Sequence, residues 1–284
     1  MARRAPPQVV ILLHRNDNFE RAGYILHELA SIWRAGGVRV TVSKGPNDPA
    51  DADLAILHVD LTTVPADYLA LVARYPRVIN GRVGDISKRL ISANLLRRTD
   101  DYAGPVIVKT NRNFGGTMEA RLARQGPILT RCVQRLRDRL PWTWRSWLPV
   151  ADYRIFESLR QVPRMVWLNA DLVVERFLPE RQEEHYCLRS WMFFGERETS
   201  TIAYSLQPVV KSRNIVRREP LTEIPAELRR LREELGFDFG KFDYAMVDGR
   251  PVLFDANRTP SLGRLSREAF RPRAEILAAG LAAF

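Results

Sequence analysis

Gly240-Lys-Phe-Asp-Tyr-Ala-Met-Val-Asp-Gly-Arg-Pro-Val-Leu-Phe-Asp-Ala-Asn257 reads as two alternating strands joined around Asp248-Gly249. The faces of this hairpin set its register. A three-residue loop, Asp248-Gly249-Arg250, pairs Val247 with Pro251 and puts Asp243 opposite Asp255. Phe242, Tyr244, Met246, Val252, Phe254 and Ala256 then share one apolar face, and Asp243, Asp255 and Asn257 share the other. A two-residue turn shifts every partner by one and mixes polar with apolar residues on both faces, so the odd loop is expected. Two carboxylates and an amide oxygen on one face, with no evident neutralising partner, repel unless a cation sits among them. A donor set made only of oxygen suits Mg²⁺ or Mn²⁺. The alternative is a face that is polar because it meets water, with Asp255 and Asn257 leading into a turn before Pro260.

Upstream, the chain alternates strand and helix signals. Val9 to Leu13 is a β-rich run, and Phe19 to Arg34 carries apolar residues at helical spacing before Gly36-Gly37 stops it. Val38 to Val42 and Leu54 to Val59 read as strands, and Pro65 starts a helix ending near Arg74, which together predict an α/β unit with a parallel sheet. A helix over Ser87 to Arg97, a strand from Pro105 to Lys109, the loop through Phe114-Gly115-Gly116-Thr117 and a strand from Leu172 to Leu178 follow. Cys187 to Phe194 is a further strand, and Ala226 to Leu235 a charged amphipathic helix. Segment 121–150, rich in Arg and Trp, fits no element and reads as an inserted cover that buries its tryptophans.

The composition is that of a globular chain: 284 residues, 45% hydrophobic and 27% charged, net charge +11. No run approaches the ~20 apolar residues of a membrane span, and the opening Met1-Ala-Arg-Arg-Ala-Pro-Pro lacks a signal-peptide pattern, so a cytoplasmic location is expected. Cys132 and Cys187 alone support neither a disulfide framework nor a zinc site. Only Lys44, Lys88, Lys109, Lys211 and Lys241 are lysines among the 44 basic residues. That bias makes each lysine informative, because an ammonium and a guanidinium differ at a phosphate.

Taken in order, these motifs resemble the ATP-grasp superfamily over roughly residues 80–262, in particular carboxylate-amine ligases such as ribosomal-protein glutamate ligase, glutathione synthetase and D-alanine–D-alanine ligase. The family's metal-binding Asp followed by Glu-x-Asn is similar to Asp243 and Asp255-Ala256-Asn257, with Asp for the usual Glu. The resemblance makes Lys109 and Lys88 the phosphate lysines and Gly115, Gly116 and Thr117 the glycine-rich phosphate loop, where backbone N–H groups must approach oxygen unobstructed. It makes Glu175, Phe177 and Leu178 the adenine hinge and Glu183 the ribose acid, with Glu180 and Glu184 equally readable. Arg189 and Arg213 become the catalytic arginines beside the reacting carboxylate and γ-phosphate.

The implied fold is an N-terminal α/β domain of the pre-ATP-grasp type, residues 1–80, followed by an ATP-grasp domain over 81–284 whose subdomains, 81–178 and 179–284, clamp ATP. The implied activity is a Mg-dependent, ADP-forming ligase that activates a small-molecule or peptide carboxylate as an acylphosphate for attack by an amine. The loop His14-Arg15-Asn16-Asp17-Asn18 is a positional candidate for acceptor binding. Two rival readings remain: an ATP-grasp kinase acting on a hydroxyl, and a basic nucleic-acid-binding protein centred on segment 121–147, although the basic charge is diffuse.

Overall fold

The structure, a computed structural model, describes residues 7–47 and 49–284. The opening segment through residue 6, on which the reading of the N-terminus rests, lies outside the described residues. The first unit comprises β1 (Gln8–Leu13), α1 (Ile25–Ala35), β2 (Arg39–Lys44), β3 (Leu54–Leu57), α2 (Ala66–Val72) and β4 (Val78–Ile79). Its strands form a wholly parallel sheet in the order β2-β1-β3-β4. β1 and β3 are buried along almost their whole length, as continuous apolar runs in a sheet covered on both faces require.

The middle of the chain contributes α3 (Lys88–Ile91), β5 (Val106–Thr110), α4 (Thr117–Gln125), α5 (Ile128–Asp138), β6 (Arg154–Phe156), α6 (Arg164–Leu168) and β7 (Leu172–Arg176). β5 is central in an antiparallel sheet ordered β6-β5-β7. The helix expected over 87–97 is a single turn, because Ser92 turns extended (ψ 124°) and the chain then leads Leu96 into a backbone hydrogen bond with the Val174 carbonyl. The last part supplies β8 (Glu180–Gln182), β9 (His185–Phe194), β10 (Arg197–Ser205), β11 (Ile215–Leu221), α7 (Ala226–Leu235), β12 (Phe239–Val247), β13 (Arg250–Asn257) and α8 (Arg267–Ala278). Here a six-stranded antiparallel sheet runs β11-β10-β9-β12-β13, with β8 also on β9. No helix among the described residues is long and apolar enough to cross a membrane.

The two faces of the large sheet have separate tasks. Trp191, Phe193, Phe242, Tyr244, Leu253 and Ala256 face α7 and Val83 in one core. The opposite face packs Met192, Phe194 and Phe239 against α1 and α8 near one end and leaves Ser190 and Asp243 free of that core. Arg258, fully buried just after β13, donates to the carbonyls of Val59, Leu61 and Val83, and the Thr259 hydroxyl donates to Asp60 at 2.6 Å. These bonds hold the end of β13 against the carboxyl ends of the parallel strands, where burial pushes the Asp60 carboxyl up to about 6.

The hairpin corrects the expected loop. Val247 pairs with Arg250, so the turn is the two residues Asp248 and Gly249, both at positive φ (+49° and +76°). That is the conformation whose twist matches a two-residue hairpin. The register shifts between Asp243 and Tyr244: Tyr244 pairs with Leu253 and Asp243 with Asp255, leaving Phe254 as an extra residue. The bulge restores the carboxylate pairing that a two-residue turn alone would forbid. It also moves Leu253, rather than Val252 or Phe254, onto the apolar face.

Candidate functional site

Asp243 on β12 and Asp255 on β13 are cross-strand partners, and Lys241 pairs with Asn257 two residues along. The period of two puts Lys241 on the same face as Asp243, and its ammonium lies 2.7 Å from the Asp243 carboxylate. Ser190 on β9, directly opposite Asp243, donates its hydroxyl at 2.6 Å. Burial alone would raise the Asp243 carboxyl, but Lys241, the Ser190 hydroxyl and Lys211 hold it below the usual carboxylate range. Asp255 forms an ion pair with Lys88, whose side chain is almost wholly buried. The Asn257 amide oxygen accepts from the Thr259 N–H at 2.9 Å and lies 3.5 Å from the Asn113 side-chain amide.

The expectation that the two carboxylates lack neutralising partners is therefore corrected: each has a lysine. The two ammonium groups supply positive charge to the paired carboxylates. Among the described residues no three His, Cys, Asp or Glu side chains cluster as metal ligands. The candidate set depends on the Asn257 amide as its third oxygen, and two carboxylates with an amide fit a hard divalent cation.

On the facing sheet, β5 and β7 bring Lys109 and Glu175 together at 2.5 Å, and Lys109 also lies over the Phe254 ring, 5.4 Å from its centroid. Glu175 is buried, and its second carboxylate oxygen has no partner among the described residues. An orphaned buried acceptor there fits a donor supplied by a ligand, such as the exocyclic amine of adenine. The Phe177 N–H is already donated to the Pro105 carbonyl at 2.9 Å. Of the expected hinge, this leaves the Glu175 carboxylate and the main chain beyond Phe177, towards Leu178, for a ligand.

Phe114, Gly115 and Gly116 are three successive residues at positive φ (+46°, +69° and +71°). A Cβ on Gly115 would stand 2.0 Å from the Leu148 carbonyl oxygen, and one on Gly116 2.9 Å from that of Ser146. The glycines are thus demanded by close packing on segment 146–148, a cause the phosphate-loop expectation did not include. Thr117 follows as the first residue of α4, whose Glu119 accepts from Thr62 at 2.5 Å and whose Arg121 reaches Asp17 at 3.3 Å.

The remaining expected residues do not join this group. Arg189 pairs across the sheet with Tyr244, on the face opposite Asp243, and its guanidinium is bound bidentately by Glu180 at 2.8–3.1 Å. Glu180 is thereby unavailable as a ribose acid. Glu183 is an exposed turn residue between β8 and β9 at φ +54°. Arg213 is exposed in the loop between β10 and β11, on the rim of a cavity of about 220 Å³ that Lys211 and Tyr153 also line. In that loop it is Lys211 that turns inward. Burial, with the Lys109 ammonium nearby, pushes it down to about 8 against the opposing pull of Asp255 and Asp243.

A scan against protein-family models and a search of curated proteins find no match for the sequence. Solved structures do match. D-alanine–D-alanine ligase from Bacillus anthracis superposes on 98% of this chain and 96% of its own at TM-score 0.50 and 12% identity. A RimK-domain ATP-grasp protein from Sphaerobacter thermophilus DSM 20745 covers 97% and 98% at TM-score 0.50 and 14% identity. The macrocyclase MdnC, bound with precursor peptide MdnA, from Microcystis aeruginosa MRC covers 96% and 99% at TM-score 0.52 and 11% identity. The chain has the ATP-grasp fold.

Within the ATP-grasp fold, four of the five lysines meet at one place: Lys88 and Lys241 on the two carboxylates, Lys109 on Glu175, and Lys211 within the field of Lys109, Asp243 and Asp255. Lys211, Lys241, Ser190 and Asn113 were missed by motif reading. Arg218, which the pairing of β11 with β10 places on the Asp243 face, was missed as well. The scarcity of lysine was the signal that could have found the first two.

Proposed function

We propose that the chain is an ATP- and Mg²⁺-dependent ligase of the ATP-grasp type, activating a carboxylate as an acylphosphate for attack by an amine. One observation carries this reading: the convergence of Lys88, Lys109, Lys211 and Lys241 on Asp243, Asp255, Asn257 and Glu175 between the two antiparallel sheets. So many cations have too few carboxylates to neutralise them, and a polyphosphate supplies the missing negative charge. The Bacillus anthracis ligase has also been solved complexed with ATP. We further assign residues 1–80 to the N-terminal α/β domain and place nucleotide between the 81–178 and 179–284 subdomains.

Asp243, Asp255 and Asn257 would hold the metal, which supplies charge neutralisation on the phosphates when bound. Lys109 and Lys88 exchange their carboxylate partners for phosphate oxygens, and Glu175 receives the base through its unpartnered oxygen. A substrate carboxylate oxygen attacks the γ-phosphorus and ADP leaves; the amine nitrogen then attacks the acyl carbon, phosphate leaves, and the nitrogen gives up a proton. These residues orient and neutralise, and none is a covalent nucleophile. A screen of carboxylates and amines for stimulated ADP release, with ¹⁸O in the carboxylate, tests the reading. Transfer of ¹⁸O into inorganic phosphate with amide formation is expected; a phosphoester product without phosphate release would replace it with the kinase reading.

A further inference from the structure

Helix α5 is mounted inside out. Its one buried residue is Gln134, while Leu129, Val133 and Leu136 on the helix, and Leu140 just beyond it, are 76%, 41%, 65% and 40% exposed. Their spacing of four, three and four residues makes one continuous stripe, extended by Ile128 at 77% and close in sequence to Trp144 at 55%. The orientation is fixed from the inner side. Asp138 accepts from Gln134 at 2.8 Å, from the Trp147 indole at 2.7 Å and from Arg124 at 2.9 Å. The polar network holds the helix by its hydrophilic face and presents the apolar one outward, against the usual sense of an amphipathic surface helix.

The rim of the stripe has one sign. Arg137 and Arg139 lie about 70–90° round the helix on either side of the stripe, with Arg135 and Arg131 farther round; all four are exposed, and none has an ion-pair partner among the described residues. Asp138, the only acidic residue between 120 and 150, is turned inward onto Arg124. A second copy would set arginine against arginine along both borders of the stripe, whereas an acidic segment with its own apolar stripe matches both the charge and the hydrophobic pattern. The surface is also joined to the candidate site: α5 follows α4, whose Glu119 and Arg121 bind Thr62 and Asp17 beside it.

We propose that the outer face of α5 docks an acidic amphipathic segment of the peptide or protein that bears the reacting carboxylate; the link to that carboxylate rests on the ligase reading above, the docking surface does not. The probe is a labelled synthetic helix of about 18 residues with leucine at i, i+3, i+4 spacing and glutamate elsewhere, titrated onto the full chain and followed by anisotropy. Binding that weakens with salt, and falls roughly tenfold or more in Val133→Glu/Leu136→Glu and in Arg137→Glu/Arg139→Glu, is expected. All of these positions are exposed, and stabilisation of both variants by MgATP should match the parent. No binding, or equal binding by both variants, overturns the proposal. So does association only with phosphatidylglycerol vesicles, or a concentration-dependent dimer that Leu136→Glu abolishes. Peptide binding by a chain that ignores MgATP would support the surface and overturn the ligase reading alone.

Discussion

Replacing Lys211 with Met keeps the apolar stem of the side chain and removes an ammonium that the fold holds at a cost. Burial has pushed that ammonium down to about 8 from the 10.5 of a free lysine. At ~1.36 kcal/mol per factor of ten, keeping it charged costs the native state at most ~3 kcal/mol at pH 7, and partial solvent access reduces this to ~1–2 kcal/mol. Below pH 8 the native and unfolded chains both hold the proton and the full cost is present. Between pH 8 and 10.5 the native chain has released the proton while the unfolded chain still binds it, so the stability of the parent climbs. The ligand-free variant should therefore be more stable than the parent at pH 7, melting a few degrees higher, with the difference vanishing as the pH passes 10. Its affinity for MgATP should fall at the same time, because the charge that strains the free protein is the one that meets phosphate. Thermal denaturation from pH 7 to 10.5, with and without MgATP, measures both effects. A variant less stable than the parent at pH 7, or a gap that does not close with pH, would refute the reasoning.

Three further substitutions follow from the same geometry. Asp255→Asn would relieve repulsion if the carboxylates were unpaired, but it strands buried Lys88, so the ligand-free protein should lose ~1–3 kcal/mol in denaturant melts while turnover disappears. Arg189→Ala should lower stability by ~2–3 kcal/mol, through the abandoned Glu180, and leave kcat within about threefold, since Arg189 lies on the face away from Asp243; steady-state kinetics beside a melt decide it. Gly115→Ala, with a Cβ driven into the Leu148 carbonyl at φ +69°, should cost ~2–4 kcal/mol whether or not nucleotide is present, read from paired melts.

The parallel unit and the carboxylate hairpin were legible because their signals are local. Continuous apolar runs mark β1 and β3, and Asp248-Gly249 marks a turn. The bulge at Phe254 was not, because one extra residue leaves no local trace and is chosen by which side chains the rest of the sheet buries. The fate of Arg189 was equally hidden. Its face follows from a register across β9 and β12, strands separated by more than forty residues, and its partner Glu180 from a third strand. The β10 and β11 strands escaped because Arg197 to Ser205, although internal in the sheet, opens on polar residues, and Ile215 to Leu221 is a half-exposed edge strand, so neither shows the apolar density of a core strand. Segment 121–150 misled in the other sense. Trp142 and Trp147 are half-buried, under Arg154 and Arg124 respectively, but Trp144 and the apolar stripe of α5 face outward, so the segment is no simple cover.

The central claim, that Asp243, Asp255 and Asn257 with the converging lysines form an ATP site dependent on a divalent cation, is tested most directly by calorimetric titration of ATP into the parent and into Lys109→Met, with and without Mg²⁺. The account predicts one site per chain in the parent, binding at least about tenfold tighter when Mg²⁺ is present, with a comparable loss of affinity in Lys109→Met. Absence of ATP binding by the folded parent in Mg²⁺, or an affinity untouched by both the metal and the substitution, would contradict it.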